Sequence, residues 1–145
     1  MREIKFRAWH KFKKKMYKVY DLKGDSATGE LCALSLNDDN AVGVNLFPCA
    51  LPNVELMQYT GLKDKNGKEI WESDILLYDR KHLEHPVAFE VLYRCGGYAQ
   101  RRLGKRETKL EDMPPDPCDS LLYEWNQLEV IGNKFDDPEL LGGGE

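Results

Sequence analysis

Short segments in which apolar and polar residues alternate recur along this 145-residue chain, and turn-forming residues separate them. Residues 3–9 are the first, with Ile4, Phe6 and Ala8 predicted on one face of a strand. Residues 16–20 follow a lysine-rich turn, so the two segments should pair as a hairpin. A period of two is typical of half-buried strands rather than of an amphipathic helix. The chain is therefore predicted to be mainly β.

Further short segments with strand character follow along the chain. They cover residues 31–36, 42–47, 54–59, 69–71, 75–78, 86–93, 98–103 and 128–133. Asn66-Gly67 predicts a tight hairpin turn, because both residue types tolerate a positive φ. Two short helical segments are predicted, at 119–127 and at 137–141, and Asp137 should cap the second.

Two prolines divide the chain into a predicted pair of subdomains. Pro48 and Pro52 mark a connector, so the N-terminal β subdomain should cover residues 1–52 and the C-terminal one residues 53–141. Residues 142–145 are predicted to be a mobile tail. Several short strands with frequent turns favour a small closed or partly closed β architecture for the C-terminal part. The expected fold class is mainly β (α+β), with an N-terminal β subdomain and a C-terminal small SH3-like β-barrel carrying one or two short helices.

Apolar side chains within the segments predict the core. Ile70, Ile75 and Ile131 are expected to be buried, and Cys32 and Cys49 should act as small buried hydrophobes. The four cysteines are too widely spaced for the close pairs of a structural zinc site.

Hydropathy bears on where the protein is found. Hydrophobic residues make up 41% and charged residues 32% of the chain, which is the composition of a globular protein. The chain has no apolar run long enough to cross a bilayer, and its first residues lack the apolar core of a signal peptide. We therefore expect a cytoplasmic protein with no membrane association.

Charge is distributed unevenly along the chain. Residues 1–20 carry a balance of +7, which leaves −11 on the other 125 residues, and a second basic cluster lies between 94 and 109. Opposite-sign regions can meet within the chain or across a subunit boundary, or the basic clusters can bind a polyanion such as nucleic acid. The candidate contact residues for a partner or a nucleic acid are Lys13, Lys14, Lys15, Arg101, Arg102 and Arg106.

Residues that could carry chemistry are few. Asp79, His82 and His85 recur at three-residue intervals and are candidate ligands for a divalent metal, although an exposed loop explains the same pattern. Glu72 and Asp74 could serve acid–base chemistry, but two carboxylates in a turn more often anchor backbone N–H groups. The sequence holds no Ser-His-Asp signature and no glycine-rich phosphate loop. We therefore predict that the protein is not an enzyme and uses no cofactor.

Four segments together carry a family resemblance. They read REIKFRAW at 2–9, LMQYTGLKDKNGKEI at 56–70, ESDI at 72–75, and LEVIGN at 128–133 followed by PELL at 138–141. In this order they resemble the YopX-like family of phage and prophage proteins. Three positions differ from the usual family residue. His10 replaces Asp, Trp71 replaces Tyr, and Ser73 replaces a glycine, so Ser73 must either keep a negative φ or accept modest strain.

The resemblance implies a predominantly β protein of a mobile genetic element in a bacterial host cell. It also implies similarity to proteins that form large homo-oligomers, of which a large ring is one form, and it supplies no catalytic residue. We expect an oligomeric assembly or interaction protein, in which the basic N-terminal hairpin of one subunit meets the acidic residues 136–139 of a neighbour. A small regulator that binds a host protein would leave no distinct mark in the sequence.

The alternative function is that of a small β-barrel that binds single-stranded nucleic acid. Aromatic side chains lie between the basic residues, and such side chains can stack on bases. If they face the core instead, the lysines simply face water. The aromatic residues concerned are Phe6, Trp9, Tyr17, Tyr20, Tyr93 and Tyr98.

Overall fold

The computed structural model describes residues 3–38, 46–78, 87–94, 97–103 and 125–141. Strands hold 63% of these residues, which confirms the mainly β prediction. Within these ranges there is no α-helix, and short 3-10 turns lie at Leu51–Asn53, Trp125–Gln127 and Pro138–Leu140. None of the described helical turns is long or apolar enough to cross a membrane.

Ten strands are described, and all are short. They are β1 (Phe6–His10), β2 (Lys15–Gly24), β3 (Leu31–Asn37), β4 (Leu46–Ala50), β5 (Val54–Lys63), β6 (Glu69–Trp71), β7 (Asp74–Tyr78), β8 (Val87–Arg94), β9 (Gly97–Arg102) and β10 (Glu129–Asn133).

The strands form two antiparallel sheets. The six-stranded sheet has the order β4-β3-β2-β1-β5-β6, and the four-stranded sheet has the order β10-β7-β8-β9. Neither sheet closes on itself among the described strands, so these strands form no closed barrel, and the predicted SH3-like barrel is not confirmed. The physical reason lies in β5 and β6, which extend the sheet of β1 instead of joining β7. The chain divides into two compact units, Met1–Tyr59 and Thr60–Glu145.

β1 is the central strand of the first unit, with β2 on one side and β5 on the other. Ala8 lies opposite Tyr17 of β2 and Leu56 of β5, and its side chain is fully buried. Ala8, Trp9 and His10 are all buried in succession. Because successive side chains point to opposite faces, both faces are covered at this end of the strand. The prediction of a half-buried strand is therefore too simple.

Pro48 does not mark a connector. It lies within β4, opposite Ser35, at the edge of the six-stranded sheet, where the missing N–H costs no hydrogen bond to an outer neighbour. Pro52 lies in the 3-10 turn Leu51–Asn53, which joins β4 to β5, whereas the chain divides into its two compact units after Tyr59, within β5. The boundary predicted after residue 52 falls within this turn.

A buried carboxylate organises the second unit. Asp64 is 5% exposed at the start of the hairpin loop between β5 and β6. Its Oδ1 accepts backbone N–H groups of Asn66 and Lys68 at 2.8 and 2.9 Å. Its Oδ2 accepts the N–H of Val130 in β10 at 2.9 Å. Gly67, with a φ of +81°, reverses the chain as the Asn-Gly pattern predicts. One side chain thus closes the hairpin and holds a strand distant in sequence.

In the second unit the predicted burial of Ile70 and Ile75 is confirmed, because both side chains are completely buried. Ile131 is 38% exposed instead. A bulge between Val130 and Gly132 shifts the register of β10 against β7, so the alternation read from the sequence breaks there. Val130 occupies the core, and Ile131 faces outward.

Ser73 lies in the tight turn between β6 and β7 with a φ of +71°. Its N–H donates to the carbonyl of Val91 at 2.8 Å, and its carbonyl accepts the N–H of Lys134 at 3.0 Å. The carboxylate of Asp74 accepts the N–H of Trp71 at 2.8 Å, which confirms its predicted role as a turn anchor. These bonds hold Ser73 in a conformation that favours glycine.

We expect replacement of Asp64 to destabilise the protein in a pH-dependent way. Burial raises the pKa of this carboxyl, but the N–H groups of Val130, Lys68 and Asn66 and the charge of Lys68 outweigh burial, so the pKa lies below its ordinary value of 3.8. The charged form is therefore stabilising above pH about 4, and this contribution disappears as the pH falls through the lowered folded pKa. D64A should lose about 2–4 kcal/mol at pH 7 by urea unfolding.

The pH test of Asp64 uses D64N and a matched control. The stability gap between wild type and D64N should narrow between pH 7 and pH about 3. Asp25 is the control, because its carboxylate also accepts two turn N–H groups, of Ala27 and Thr28, but is exposed. D25N should have a much smaller effect at pH 7. If the difference in stability between wild type and D64N is the same at both pH values, the proposed role of the Asp64 charge is contradicted.

Replacing Ser73 by glycine should stabilise the protein. Relief of the left-handed backbone gains about 1–2 kcal/mol, and the greater freedom of the unfolded chain takes back about half of it. We expect S73G to raise the free energy of unfolding by about 0.5–1 kcal/mol in a denaturant titration. S35G, in the extended backbone of β3, should lower it by a similar amount. If both variants shift the midpoint in the same direction, the strain assigned to Ser73 is wrong.

Candidate functional site

The turn between β1 and β2, residues 11–14, is the lysine turn, and a buried histidine holds it. Nδ1 of His10 accepts the N–H groups of Phe12 and Lys13 at 3.3 and 3.1 Å. The carbonyl of His10 accepts the N–H of Lys14 at 2.9 Å. The imidazole thus performs the turn-capping role that an Asp performs by hydrogen bonding to the following backbone. Three hydrogen bonds to His10 therefore hold the backbone of the lysine turn.

Lys11 of the lysine turn and Lys15, the first residue of β2, pair with acidic groups of the same unit. The N–H of Lys11 donates to the carbonyl of Asn53, and its Nζ lies 3.5 Å from a carboxylate oxygen of Glu55. Nζ of Lys15 lies 2.9 Å from Oδ1 of Asp38. The first unit thus pairs part of its own positive charge.

Aromatic rings contact two lysines, Lys13 and Lys15. Nζ of Lys13 lies 4.1 Å from the ring centroid of Phe47, and Nζ of Lys15 lies 5.1 Å from that of Tyr17. The two rings pack edge to face with centroids 5.1 Å apart. Cations at such distances are attracted to the ring faces. Lys13 and Lys15, both predicted contact residues, are therefore held against the protein itself.

All four residues of the lysine turn are exposed, Phe12 and Lys14 among them. Phe12 is 76% exposed, the largest exposed fraction among the bulky apolar side chains described. Lys14 is exposed with a φ of +53°, and no described residue forms an ion pair with it. A large apolar ring beside a cation, on a turn that needs no ordering, is suited to a contact with a partner.

The second basic cluster is described only in part. Arg101 of β9 lies opposite Glu90 of β8, and its guanidinium pairs with that carboxylate. Glu90 is 6% exposed, and Nζ of Lys134 lies 3.9 Å from its other oxygen. Arg101 therefore stabilises the sheet. Arg102 lies on β9, but its side chain is outside the described part of the chain, as is Arg106 altogether.

The aromatic residues considered for base stacking divide between core and surface. Trp9 and Tyr17 are buried and cannot stack on a ligand. Tyr20 and Tyr93 are more than half exposed, and Tyr93 packs edge to face with Tyr98, its cross-strand partner. Of these aromatic residues, Trp9 and Tyr17 therefore belong to the core, and Tyr20 and Tyr93 belong to the surface.

The metal candidates Asp79, His82 and His85 lie outside the described residues. In the described ranges no three His, Cys, Asp or Glu side chains come together as metal ligands. Cys49 is buried as predicted, and burial raises the pKa of its thiol despite the nearby charge of Lys13. The prediction for Cys32 is wrong, because its side chain is exposed, with Sγ 3.4 Å from the carbonyl oxygen of Lys23.

Phe12, Glu90 and the acceptor role of His10 are functional features that were not predicted from the sequence. A histidine that ends a strand before a tight turn is a signal for such a cap, since the turn N–H groups need an acceptor. Glu90 sits within the apolar strand 86–93, where a lone carboxylate predicts a cationic cross-strand partner.

Comparisons with known proteins agree with this fold. A family model described as YopX protein matches residues 5–142. The crystal structure of protein EF1440 from Enterococcus faecalis is similar with a TM-score of 0.61 and 27% identity, covering 97% of this chain and 99% of that one. The crystal structure of protein yopX from Bacillus subtilis is similar in fold with a TM-score of 0.58 and 22% identity over the full length of both chains. Among curated proteins, none matches the chain.

A double-mutant cycle should show that Arg101 and Glu90 are coupled in the fold. We expect a coupling energy of about 1–2 kcal/mol between E90Q and R101Q in urea unfolding, because one partner is buried. The matched control is the exposed pair of Lys65 and Glu129, with Nζ and a carboxylate oxygen 3.6 Å apart. The cycle of K65Q and E129Q should give about 0.5 kcal/mol or less. Equal coupling in the two cycles would contradict the structural role of Arg101.

Proposed function

The chain belongs to the YopX family, and we propose that it is a non-enzymatic phage or prophage protein that works by assembling with copies of itself in the cytoplasm of a bacterial host. Three features support the proposal. The described sheets have edge strands with free backbone groups, both units expose bulky apolar side chains, and the two units differ in net charge. The exposed apolar side chains carry the proposal.

Large apolar side chains are exposed in both units. Phe12 and Tyr20 are 76% and 69% exposed in the first unit, and Tyr93 and Ile131 are 58% and 38% exposed in the second. Phe and Tyr are among the residues enriched in the contact regions of protein interfaces. Surfaces of this kind are suited to burial against another protein chain.

Sheet edges provide a second kind of surface. Among the described strands, β4 and β6 end the larger sheet, and β9 and β10 end the smaller one. An outer strand can pair its free backbone groups with a strand of another chain. Pro48 weakens that option for β4, because proline donates no hydrogen bond.

Charge divides between the units in a way that favours attraction between copies. Met1–Tyr59 contains nine basic and seven acidic residues, whereas Thr60–Glu145 contains twelve basic and eighteen acidic residues. Opposite net charges on the two units attract the first unit of one copy to the second unit of another.

A protein that binds single-stranded nucleic acid is the second candidate. The observation in its favour is the exposed ring of Phe12 between lysines, which could stack on a base while cations contact phosphates. The partners of Lys11, Lys13 and Lys15 within the chain count against it, because a phosphate would have to compete with them.

Light scattering at two salt concentrations tests the proposal. We expect a mass that is a multiple of the monomer's at about 50 mM salt, and partial dissociation at about 500 mM, since salt screens attraction between surface charges. A single-stranded DNA oligonucleotide in a parallel sample tests the second candidate. A monomer at every concentration and salt would refute self-assembly, and salt-sensitive DNA binding by that monomer would favour the second candidate.

A further inference from the structure

The proposed self-assembly leaves open which surfaces meet. We infer that Phe12 and Lys14 of one copy dock on Pro138 and Glu139 of a second copy, in a head-to-tail contact. This inference rests on the proposed function and adds the contact to it. Each surface combines an exposed apolar group with an exposed charge, and the two charges are opposite.

The acidic surface belongs to the turn that follows β10, residues 134–139, here called the acidic turn. Oδ1 of Asn133 accepts the N–H groups of Phe135 and Asp136 at 3.0 and 2.9 Å. Oδ2 of Asp137 accepts the N–H of Asn133 at 3.2 Å. A Cβ atom at position 132 would collide with the Asp137 carboxylate, so Gly132 makes room for it. The acidic turn is thus held in place as firmly as the lysine turn.

Within the acidic turn the carboxylates have different roles. Those of Asp136 and Asp137 accept hydrogen bonds from Asn133, at its side-chain Nδ2 and at its backbone N–H. Glu139 lies in the 3-10 turn Pro138–Leu140, is exposed, and has no ion pair with any described residue. Pro138 beside it is exposed as well. The acidic turn therefore presents the carboxylate of Glu139, which has no described ion pair, next to the apolar ring of Pro138.

The lysine turn presents the complementary pair. Lys11 and Lys15 form ion pairs within their unit and Lys13 lies against an aromatic ring, whereas Lys14 has no ion pair with any described residue. Phe12 next to it offers a ring that is 76% exposed. Both turns are fixed by their own hydrogen bonds, so docking costs little backbone entropy.

The occupant is a second copy because this one chain carries both complementary surfaces. Each copy carries one lysine turn and one acidic turn, so two copies can pair reciprocally as a dimer, or each copy can meet two different neighbours. Repetition of the contact gives a ring if the rotation closes, and a filament if it does not. The contact therefore predicts self-association, with a dimer, a ring or a filament as its forms.

Charge reversal tests the contact by sedimentation or light scattering. K14E and E139K should each weaken self-association about tenfold or more, because each places like charges opposite one another. Mixing the two variants should restore association to within about threefold of wild type. In the mixture the two substituted side chains attract each other, and the unchanged Lys14 of one variant still meets the unchanged Glu139 of the other. F12S should weaken association without changing its salt dependence.

The matched control is K23E, a charge reversal at an exposed lysine of β2 in the same unit. K23E should leave self-association within about twofold of wild type. Denaturant midpoints equal to that of wild type show that the variants are folded. The double variant K14E/E139K should assemble like wild type.

The outcomes separate this contact from the proposed function. A wild-type monomer at all concentrations overturns both. A wild-type oligomer that K14E, E139K and F12S leave unchanged overturns the contact and keeps self-assembly. Weakening by both charge reversals without rescue in the mixture overturns the pairing of Lys14 with Glu139. If K14E and F12S lose DNA binding while the mass of the assembly stays that of wild type, the contact between copies is overturned. The lysine turn would then bind a polyanion instead.

Discussion

Backbone N–H groups in tight turns must find acceptors, and in this chain buried side chains supply them. The structure consists of short strands joined by turns, so many donors lie outside the sheet ladders. Asp64 is the strongest case, because its two oxygens accept three N–H groups from two distant parts of the second unit. A carboxylate bonded in this way replaces the water that a buried turn has lost. The path of β10 beside the β5–β6 hairpin depends on it.

The same device shapes the surface. His10 holds the lysine turn from beneath, and Asn133 holds the acidic turn. Side chains on turns fixed in this way lose little freedom when a partner binds, so exposed groups such as Phe12 can contribute most of their contact energy. The polar residues that build the fold therefore also determine which side chains are available outside it.

The sequence predicts those parts of the fold that depend on local pattern. The alternation of apolar and polar residues predicts the hairpin of β1 and β2. The two carboxylates of the turn Glu72-Ser73-Asp74 predict a turn anchor, and Asp74 has that role. The bond from Val130 to Asp64 joins residues 66 apart, and no local pattern contains it. The predicted burial of Ile131 is wrong for a related reason, since the bulge in β10 depends on its pairing with the neighbouring strand.

The candidate surface was predictable only in outline, because a run of lysines does not reveal which of them have partners. The partners of these lysines come from distant segments of the chain. Lys13 contacts Phe47, Lys15 pairs with Asp38, and Lys11 pairs with Glu55. Affinity for a polyanion grows with the number of free cations, whereas a specific protein contact needs few charges beside an apolar anchor. A turn whose cations are mostly occupied, but whose aromatic ring is exposed, therefore suits a defined protein partner better than a nucleic acid backbone.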